Sequence, residues 1–112
     1  MVPPAEDVRT GLEALLADRH CEEARALFLR LARCIDGRVG RVTATRYRDV
    51  LATADREEIT GEVLLELMSG ALANFRGHAL GELLAFVRCI TDRCCWRAAR
   101  RRLRERDALN GE

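Results

Sequence analysis

Lysine is absent from this sequence, so all 19 of its basic residues are arginine. Aromatic residues make up only 4% of the 112 residues, and the β-branched and aromatic runs that favour strands are rare. Both prolines lie within the first four residues, so the rest of the chain lacks this helix breaker. These shortages weigh against a sheet and leave helix formers, chiefly leucine, alanine, arginine and glutamate, as the dominant residues.

Membrane and export signals are also lacking. No apolar run approaches the length of a membrane span, and the N-terminus MVPPAEDVRT has neither the basic start nor the apolar stretch of a signal peptide. Five cysteines, an odd number, do not suit a disulfide framework. We therefore expect a cytoplasmic protein with reduced thiols and no membrane contact.

Apolar residues recur at helical spacing along the first part of the chain. An additional N-terminal helix is predicted within residues 1–20. A second helix, starting near Cys21, is predicted to end at Gly37 and Gly40, because glycine commonly terminates helices. The predicted buried stripe of this second helix comprises Ala24, Leu27, Phe28, Leu31 and Ile35.

Two shorter helical patterns follow. Residues 43–54 are predicted to form a short helix that turns Tyr47, Val50 and Leu51 inward. Asp55, with Glu58 three residues later, resembles a capping box and is predicted to open the next helix. The buried stripe of that helix is predicted to comprise Ile59, Val63, Leu67 and Ala71, and to be widened by Leu64 and Met68.

The last helix is predicted to run from near Ala79 to about Arg106. Its first part, up to Trp96, is apolar nearly all round, which is typical of a helix at the centre of a bundle. We therefore assign its cysteines and Trp96 to the core, and expect the arginine-rich end to project into water or onto a partner. Together these patterns predict one domain over residues 1–112, an all-α fold forming a compact bundle of four to five helices.

Charge is unevenly distributed although the net charge is only +1. Residues 93–106 contain seven arginines and one acid, whereas residues 55–66 contain five acids and one arginine. This asymmetry predicts two electrostatically different faces. Four of the arginines share one helical face, which is either a phosphate-binding stripe or a solvated helix end; they are Arg97, Arg100, Arg101 and Arg104.

Metal binding and catalysis find little support in the sequence. Cys89 and Cys94 lie five residues apart on one predicted helix, unlike the paired ligands of a zinc finger or ribbon. A cysteine nucleophile needs a nearby base, and both His20 and His78 are distant from Cys94 in sequence. No glycine-rich phosphate loop is present, so we predict a non-enzymatic protein without metal or cofactor.

Four motifs occur in a distinctive order. An acidic segment EEITGEVLLELM (57–68) is followed by NFRG (74–77), then by FVRCITDR (86–93) and RRR (100–102). The order of these motifs, with the acidic segment first and the arginine-rich segment last, makes residues from about 25 to 104 resemble region 2 of bacterial sigma factors. The resemblance is closest to the extracytoplasmic-function group of the sigma-70 family. Gly61, Phe86 and Arg93 stand where that family usually has glutamine, tryptophan and asparagine.

The resemblance implies a sigma region 2-like fold and a transcription initiation module. Such a module binds the clamp helices of the RNA polymerase β′ subunit and captures promoter −10 DNA. The polymerase-binding positions implied are Glu58, Glu62, Leu65 and Met68. The DNA-binding positions implied are Phe75, Arg76, Arg93, Arg97, Arg100 and Arg101. The implied partners are core RNA polymerase and promoter DNA, with an anti-sigma protein or a second sigma-domain subunit as a further partner.

The region that reads the −35 element in such factors, region 4, is not found within these residues, so we expect a fragment or a lone region 2 module.

Two other hypotheses remain open. The alternative is a non-catalytic helical protein-interaction, adaptor or regulatory module without DNA binding, whose affinity would depend little on salt. A third hypothesis, a thiol or zinc regulator, would require one metal ion per chain.

Overall fold

A computed structural model describes residues 7–111, which form helices joined by short turns. The helices are α1 (Arg9–Leu16), α2 (Glu22–Thr45), α3 (Thr53–Glu66), α4 (Leu72–Asn74) and α5 (Leu80–Asn110). A π-helical turn, Leu67–Ala71, joins α3 to α4 with a kink at Gly70. Within the described range no strand is formed, and an isolated bridge pairs Asp7 with Ala79. The predicted all-α helical bundle is confirmed.

Helix α5 is the central element of the bundle and packs against both α2 and α3. Ion pairs join Asp55 to Arg102 and Glu66 to Arg93, so α3 and α5 run in opposite directions. On the other side, Arg38 of α2 donates two hydrogen bonds to Asp92 of α5. The fully enclosed core residues come from all three helices and include Leu31, Ile35, Val39, Ile59, Val63, Leu83 and Val87.

Helix α5 changes character along its length, as the sequence predicts. Leu83 and Val87 are completely buried, and the last buried residue is Ala99. Every residue from 100 to 110 is exposed. A helix of 31 residues is about 46 Å long, which is most of the longest dimension of the molecule, 57 Å.

The predicted end of α2 at Gly37 and Gly40 is wrong, because the helix continues to Thr45. Glycine costs about 1 kcal/mol in a helix, but burial of Ile35, Val39 and Val42 in the core outweighs that cost. The lack of a side chain at Gly40 leaves room for another residue to pack against the helix. The guanidinium of Arg56 lies directly against it, in the space that a Cβ would occupy.

The predicted helix over residues 43–54 is also wrong. Residues 46–50 form hydrogen-bonded turns, and the neighbouring threonines belong to α2 and α3. The Asp55 carboxylate accepts a hydrogen bond of 2.7 Å from the backbone N–H of Ala52. This contact makes Ala52 the N-cap and sets the start of α3 at Thr53, two residues before the predicted opening.

Four residues predicted to be buried are exposed, namely Phe28, Met68, Cys89 and Trp96. Cys89 and Trp96 are seven residues apart, so they lie on the same side of α5. Among residues 7–111 no helix packs over that side, because α2 and α3 pack against the other sides of α5. Cys94 and Cys95 point inward and are buried, as predicted.

The N-terminal segment is tied to the loop that precedes α5. Arg9 donates hydrogen bonds to the backbone carbonyls of Gly77 (2.8 Å) and Phe75 (2.6 Å), and its guanidinium lies 5.6 Å from the centre of the Phe75 ring. The backbone N–H of Val8 donates to the carbonyl of His78 at 2.8 Å. These contacts hold the 75–78 linker closed against α1.

Replacement of a fully buried leucine of α5 should test this packing. We expect Leu83→Ala to lower the free energy of unfolding by about 2–5 kcal/mol, because it removes apolar contacts and leaves a cavity. The measurement is urea unfolding followed by circular dichroism. Leu109→Ala, at a position that is 79% exposed on the same helix, should change stability by less than about 0.5 kcal/mol. Equal effects of the two substitutions would contradict the described burial.

Candidate binding surfaces on helices α3 and α5

The acidic residues of α3 face the arginines of α5 across the antiparallel pair of helices. Arg101 pairs with Glu62 at 2.8 Å, and Glu66 accepts contacts from Arg97 at 3.3 Å and Arg93 at 3.4 Å. With the pair between Asp55 and Arg102, these contacts form what we call the ion-pair ladder. The predicted separation of acidic and basic residues into two different faces is therefore wrong for the members of this ladder.

The end of the ladder at Asp55 is the most enclosed part of it. The Asp55 side chain is buried, and Arg102 donates two hydrogen bonds to one of its oxygens. Burial acts to raise the pKa of Asp55, but the bonds from Arg102 and from the Ala52 N–H outweigh it and hold the pKa below its ordinary value. Asp55 therefore stays ionised in the folded protein at neutral pH.

Glu66 occupies the other end of the ladder. Burial acts to raise its pKa, whereas the hydrogen bond from Arg97 and the charge of Arg93 lower it, and the net shift is downward. The thiol of Cys94 also contacts Glu66, at 3.6 Å. Two arginines thus share one carboxylate, so the charge of this part of α5 is only partly balanced by α3.

One side of α3 and of the π-helical turn after it is exposed. We call it the α3 outer face, and it comprises Glu57, Glu58, Gly61 and Leu65 of α3 with Met68 of the turn. Leu65 is 69% exposed and Met68 is 44% exposed. Nothing lies within 4 Å of the place where a Cβ of Gly61 would be. Of the four positions implied as polymerase-binding, Glu58, Leu65 and Met68 lie on this face, whereas Glu62 belongs to the ion-pair ladder.

The positions implied as DNA-binding are in different environments. Phe75 is buried against Phe86, with ring centres 5.4 Å apart, so its face is not open to a base. Arg76 is exposed and donates to the carbonyl of Ala73 at 3.2 Å. Three others, Arg93, Arg97 and Arg101, are in the ion-pair ladder. Arg100 makes no ion pair with any residue from 7 to 111.

Trp96 is the aromatic residue that α5 presents to solvent, and it was assigned to the core from its apolar neighbours. It is 49% exposed, and the guanidinium of Arg100 lies 4.8 Å from its ring centre. Trp96, Arg100 and Arg104 line one shallow depression, which we call the Trp96 face. In the sequence, this face is indicated by the spacing of Trp96, Arg100 and Arg104, which are each four residues apart and therefore lie on one side of a helix.

The thiols and histidines do not assemble into a chemical site in the part of the chain that is described. Burial raises the pKa of Cys95 to about 11 and also raises the pKa of Cys94, so both thiols remain protonated at neutral pH. Over residues 7–111, no three His, Cys, Asp or Glu side chains are grouped closely enough to hold a metal ion. No helix in that range has both the length and the apolarity that crossing a membrane requires.

Comparison with known proteins identifies no relative: no protein-family model, curated protein or solved structure matches this chain.

The buried end of the ion-pair ladder should give stability a defined pH dependence. Because the pKa of Asp55 is lower in the folded than in the unfolded chain, the ion pair stabilises the fold fully above the ordinary pKa of about 3.9. This stabilisation is lost as the pH falls through the folded pKa. We expect Asp55→Asn to cost about 1–2 kcal/mol at pH 7, because Asp55 is buried while Arg102 is half exposed, and the difference from wild type to narrow below about pH 4 in urea unfolding.

Asp107→Asn, at an exposed position on α5, is the control and should change stability little at either pH. A cost of Asp55→Asn that is the same at pH 7 and at pH 3 would contradict the assigned ion pair.

Proposed function

We propose that this chain is a non-catalytic transcription module of the sigma region 2 kind, which binds core RNA polymerase through the α3 outer face and promoter DNA through the Trp96 face. A polymerase-binding function of this kind would place the protein in the cytoplasm. The proposal follows the motif order of the sequence but differs from the resemblance in its nucleic-acid contacts. Trp96 replaces Phe75 as the aromatic contact, and Arg100 and Arg104 replace the arginines of the ion-pair ladder as the phosphate contacts.

The observation that carries the proposal is the composition of the Trp96 face. A half-exposed tryptophan ring lies beside Arg100 and Arg104, neither of which has an ion-pair partner among residues 7–111. A tryptophan ring can stack on an unpaired base, while guanidinium groups bind the phosphates on either side of it. Stacking on an aromatic ring is worth about 1–3 kcal/mol per base, which is comparable to the cost of taking a base out of a duplex.

The α3 outer face has the composition of a protein-binding surface. Exposed Leu65 and Met68 supply apolar area, and Glu57 and Glu58 supply negative charge on the same side of the helix. A partner helix that presents apolar and basic side chains would be complementary to this face. The absence of a side chain at Gly61 lets the backbone of such a helix approach closely.

Loss of the tryptophan ring should weaken DNA binding. We expect Trp96→Ala to reduce the affinity for a short single-stranded oligonucleotide by about tenfold, because one stacked base is lost. The measurement is fluorescence anisotropy with a labelled oligonucleotide. Trp96→Phe should retain most of the affinity, and Phe28→Ala, at an exposed aromatic of α2, should retain all of it. Unchanged binding by Trp96→Ala would count against the proposed nucleic-acid surface.

Charge reversal on the α3 outer face should abolish capture of polymerase. We expect Glu58→Arg combined with Leu65→Ala to reduce recovery of bacterial core RNA polymerase in a pull-down by at least about tenfold, since both charge and apolar contact are lost. Glu62 is left intact because its reversal would disturb Arg101 within the fold. Glu13→Arg, on the exposed side of α1, is the control. Equal recovery by all three proteins would argue against this face.

The second candidate function is a helical adaptor without a nucleic-acid role. The observation in its favour is the exposure of Leu65, at 69%, since exposed apolar residues in a cluster mark protein-binding surfaces. Tryptophan and arginine are also enriched at protein interfaces. Salt dependence separates the two functions, because phosphate contacts weaken steeply with added salt and an apolar interface does not.

A further inference from the structure

The turn that joins α1 to α2 contains a strained residue. Asp18 has a φ of 55°, in the left-handed region, and it is the one non-glycine residue from 7 to 111 with a positive φ. The backbone N–H of Arg19 donates to the carbonyl of Ala14 at 2.9 Å, and the N–H of Asp18 donates to the carbonyl of Leu15 at 3.1 Å. These two bonds form a Schellman motif, in which the left-handed position is usually glycine. An aspartate there is disfavoured because its Cβ crowds the following carbonyl oxygen.

The sequence of this turn does not itself end a helix. Residues 17–21, ADRHC, contain neither glycine nor proline, and residues 17–20 are exposed. The chain reverses because α1 packs back against α2, so closely that the carbonyl of Glu23 lies 3.2 Å from the place of a Cβ on Gly11. A short hinge under strain favours domain swapping. The relaxed alternative is a straight hinge, in which α1, the turn and α2 form one continuous helix.

The contacts that hold α1 can all be made with a second copy of the chain. Val8 and Leu12 are buried against the rest of the core, and Arg9 donates hydrogen bonds to the carbonyls of Phe75 and Gly77. Every one of these contacts joins α1 to a part of the chain beyond the hinge. The α1 of a second copy, seated in the same place, would therefore form the same buried contacts and the same hydrogen bonds.

We propose that two copies of this chain exchange α1, with residues 17–21 of each copy straightened into helix. The resulting dimer has two-fold symmetry, and its two long helices lie antiparallel beside each other at the hinge. This arrangement brings Asp18 of one copy near Arg19 of the other, so opposite charges meet on both sides of the two-fold axis. The α3 outer face and the Trp96 face take no part in the exchange, so the inference is independent of the proposed function.

Substitution at the hinge should shift the balance between monomer and dimer in both directions. We expect Asp18→Gly to lower the dimerisation constant at least about tenfold, because glycine removes the strain from two hinges. We expect Asp18→Ala to raise it about tenfold, because alanine is poorer in the left-handed region and better in a helix. Sedimentation equilibrium measures both. Asp36→Ala makes the same change at an exposed position within α2 and should leave the constant unchanged.

A disulfide between α1 and the linker distinguishes exchange from any other association. Asp7 and Ala79 form an antiparallel bridge, in which the Cα atoms are about 4.5 Å apart, a distance that suits a disulfide. Asp7→Cys/Ala79→Cys should therefore close within one chain in the monomer and between two chains in the exchanged dimer. The three native thiols that are not buried are first removed, by Cys21→Ser, Cys34→Ser and Cys89→Ser.

On a non-reducing gel, we expect the covalent dimer to increase with protein concentration, and to be more abundant with Asp18→Ala than with Asp18→Gly. The single variant Asp7→Cys should give no more covalent dimer than its serine background. Disulfides that close only within one chain at every concentration overturn the proposal, even where sedimentation shows a dimer, since the copies then associate through another surface. Equal dimerisation of the two hinge variants also refutes it. Circular dichroism checks folding, and if Asp18→Ala does not fold, the disulfide in the native hinge decides.

Discussion

The antiparallel pairing of α3 with α5 is the interaction on which the rest of the molecule depends. Its apolar half includes Ile59 of α3 and Ala98 of α5, which are both buried and line the same depression. Its charged half aligns the carboxylates of α3 with the arginines of α5, from Asp55 to Glu66. Because these two halves share one register, the position of every exposed residue on either helix follows from it. Both candidate binding surfaces are simply the sides of α3 and α5 that this register turns to solvent.

Much of the fold could be predicted from the sequence, because periodicity reports which side of a helix is buried. Leu31, Val63 and Leu83 are buried as predicted, although Phe28, in the same predicted stripe as Leu31, is exposed. Helix ends were harder, since they depend on contacts remote in sequence. Gly40 does not end α2 because the Arg56 side chain packs against it, and Asp55 fixes a start two residues earlier through the Ala52 N–H. Neither contact has a local sequence pattern that identifies it.

The candidate sites were less predictable for a physical reason. A sequence shows that one segment is acidic and another basic, but it does not show whether they face solvent or each other. Here α3 and α5 face each other, so most of the arginines once expected to meet phosphate already meet carboxylates. Trp96 was misplaced because an apolar helix in contact with two others, rather than with a full ring of neighbours, keeps one open side. The resemblance to sigma region 2 remains a hypothesis that these surfaces make testable.

The hydrogen bonds from Arg9 to the carbonyls of Phe75 and Gly77 have a consequence for what counts as the minimal domain. Residues from about 25 to 104 carry the motifs on which the resemblance was argued, and the Phe75 and Gly77 carbonyls within them accept hydrogen bonds from Arg9 of α1. A chain trimmed to those motifs would lose these donors and uncover the Phe75 ring, which is 7% exposed in the intact protein. The first turn of α1 is therefore part of the packing that holds the loop before α5 in place.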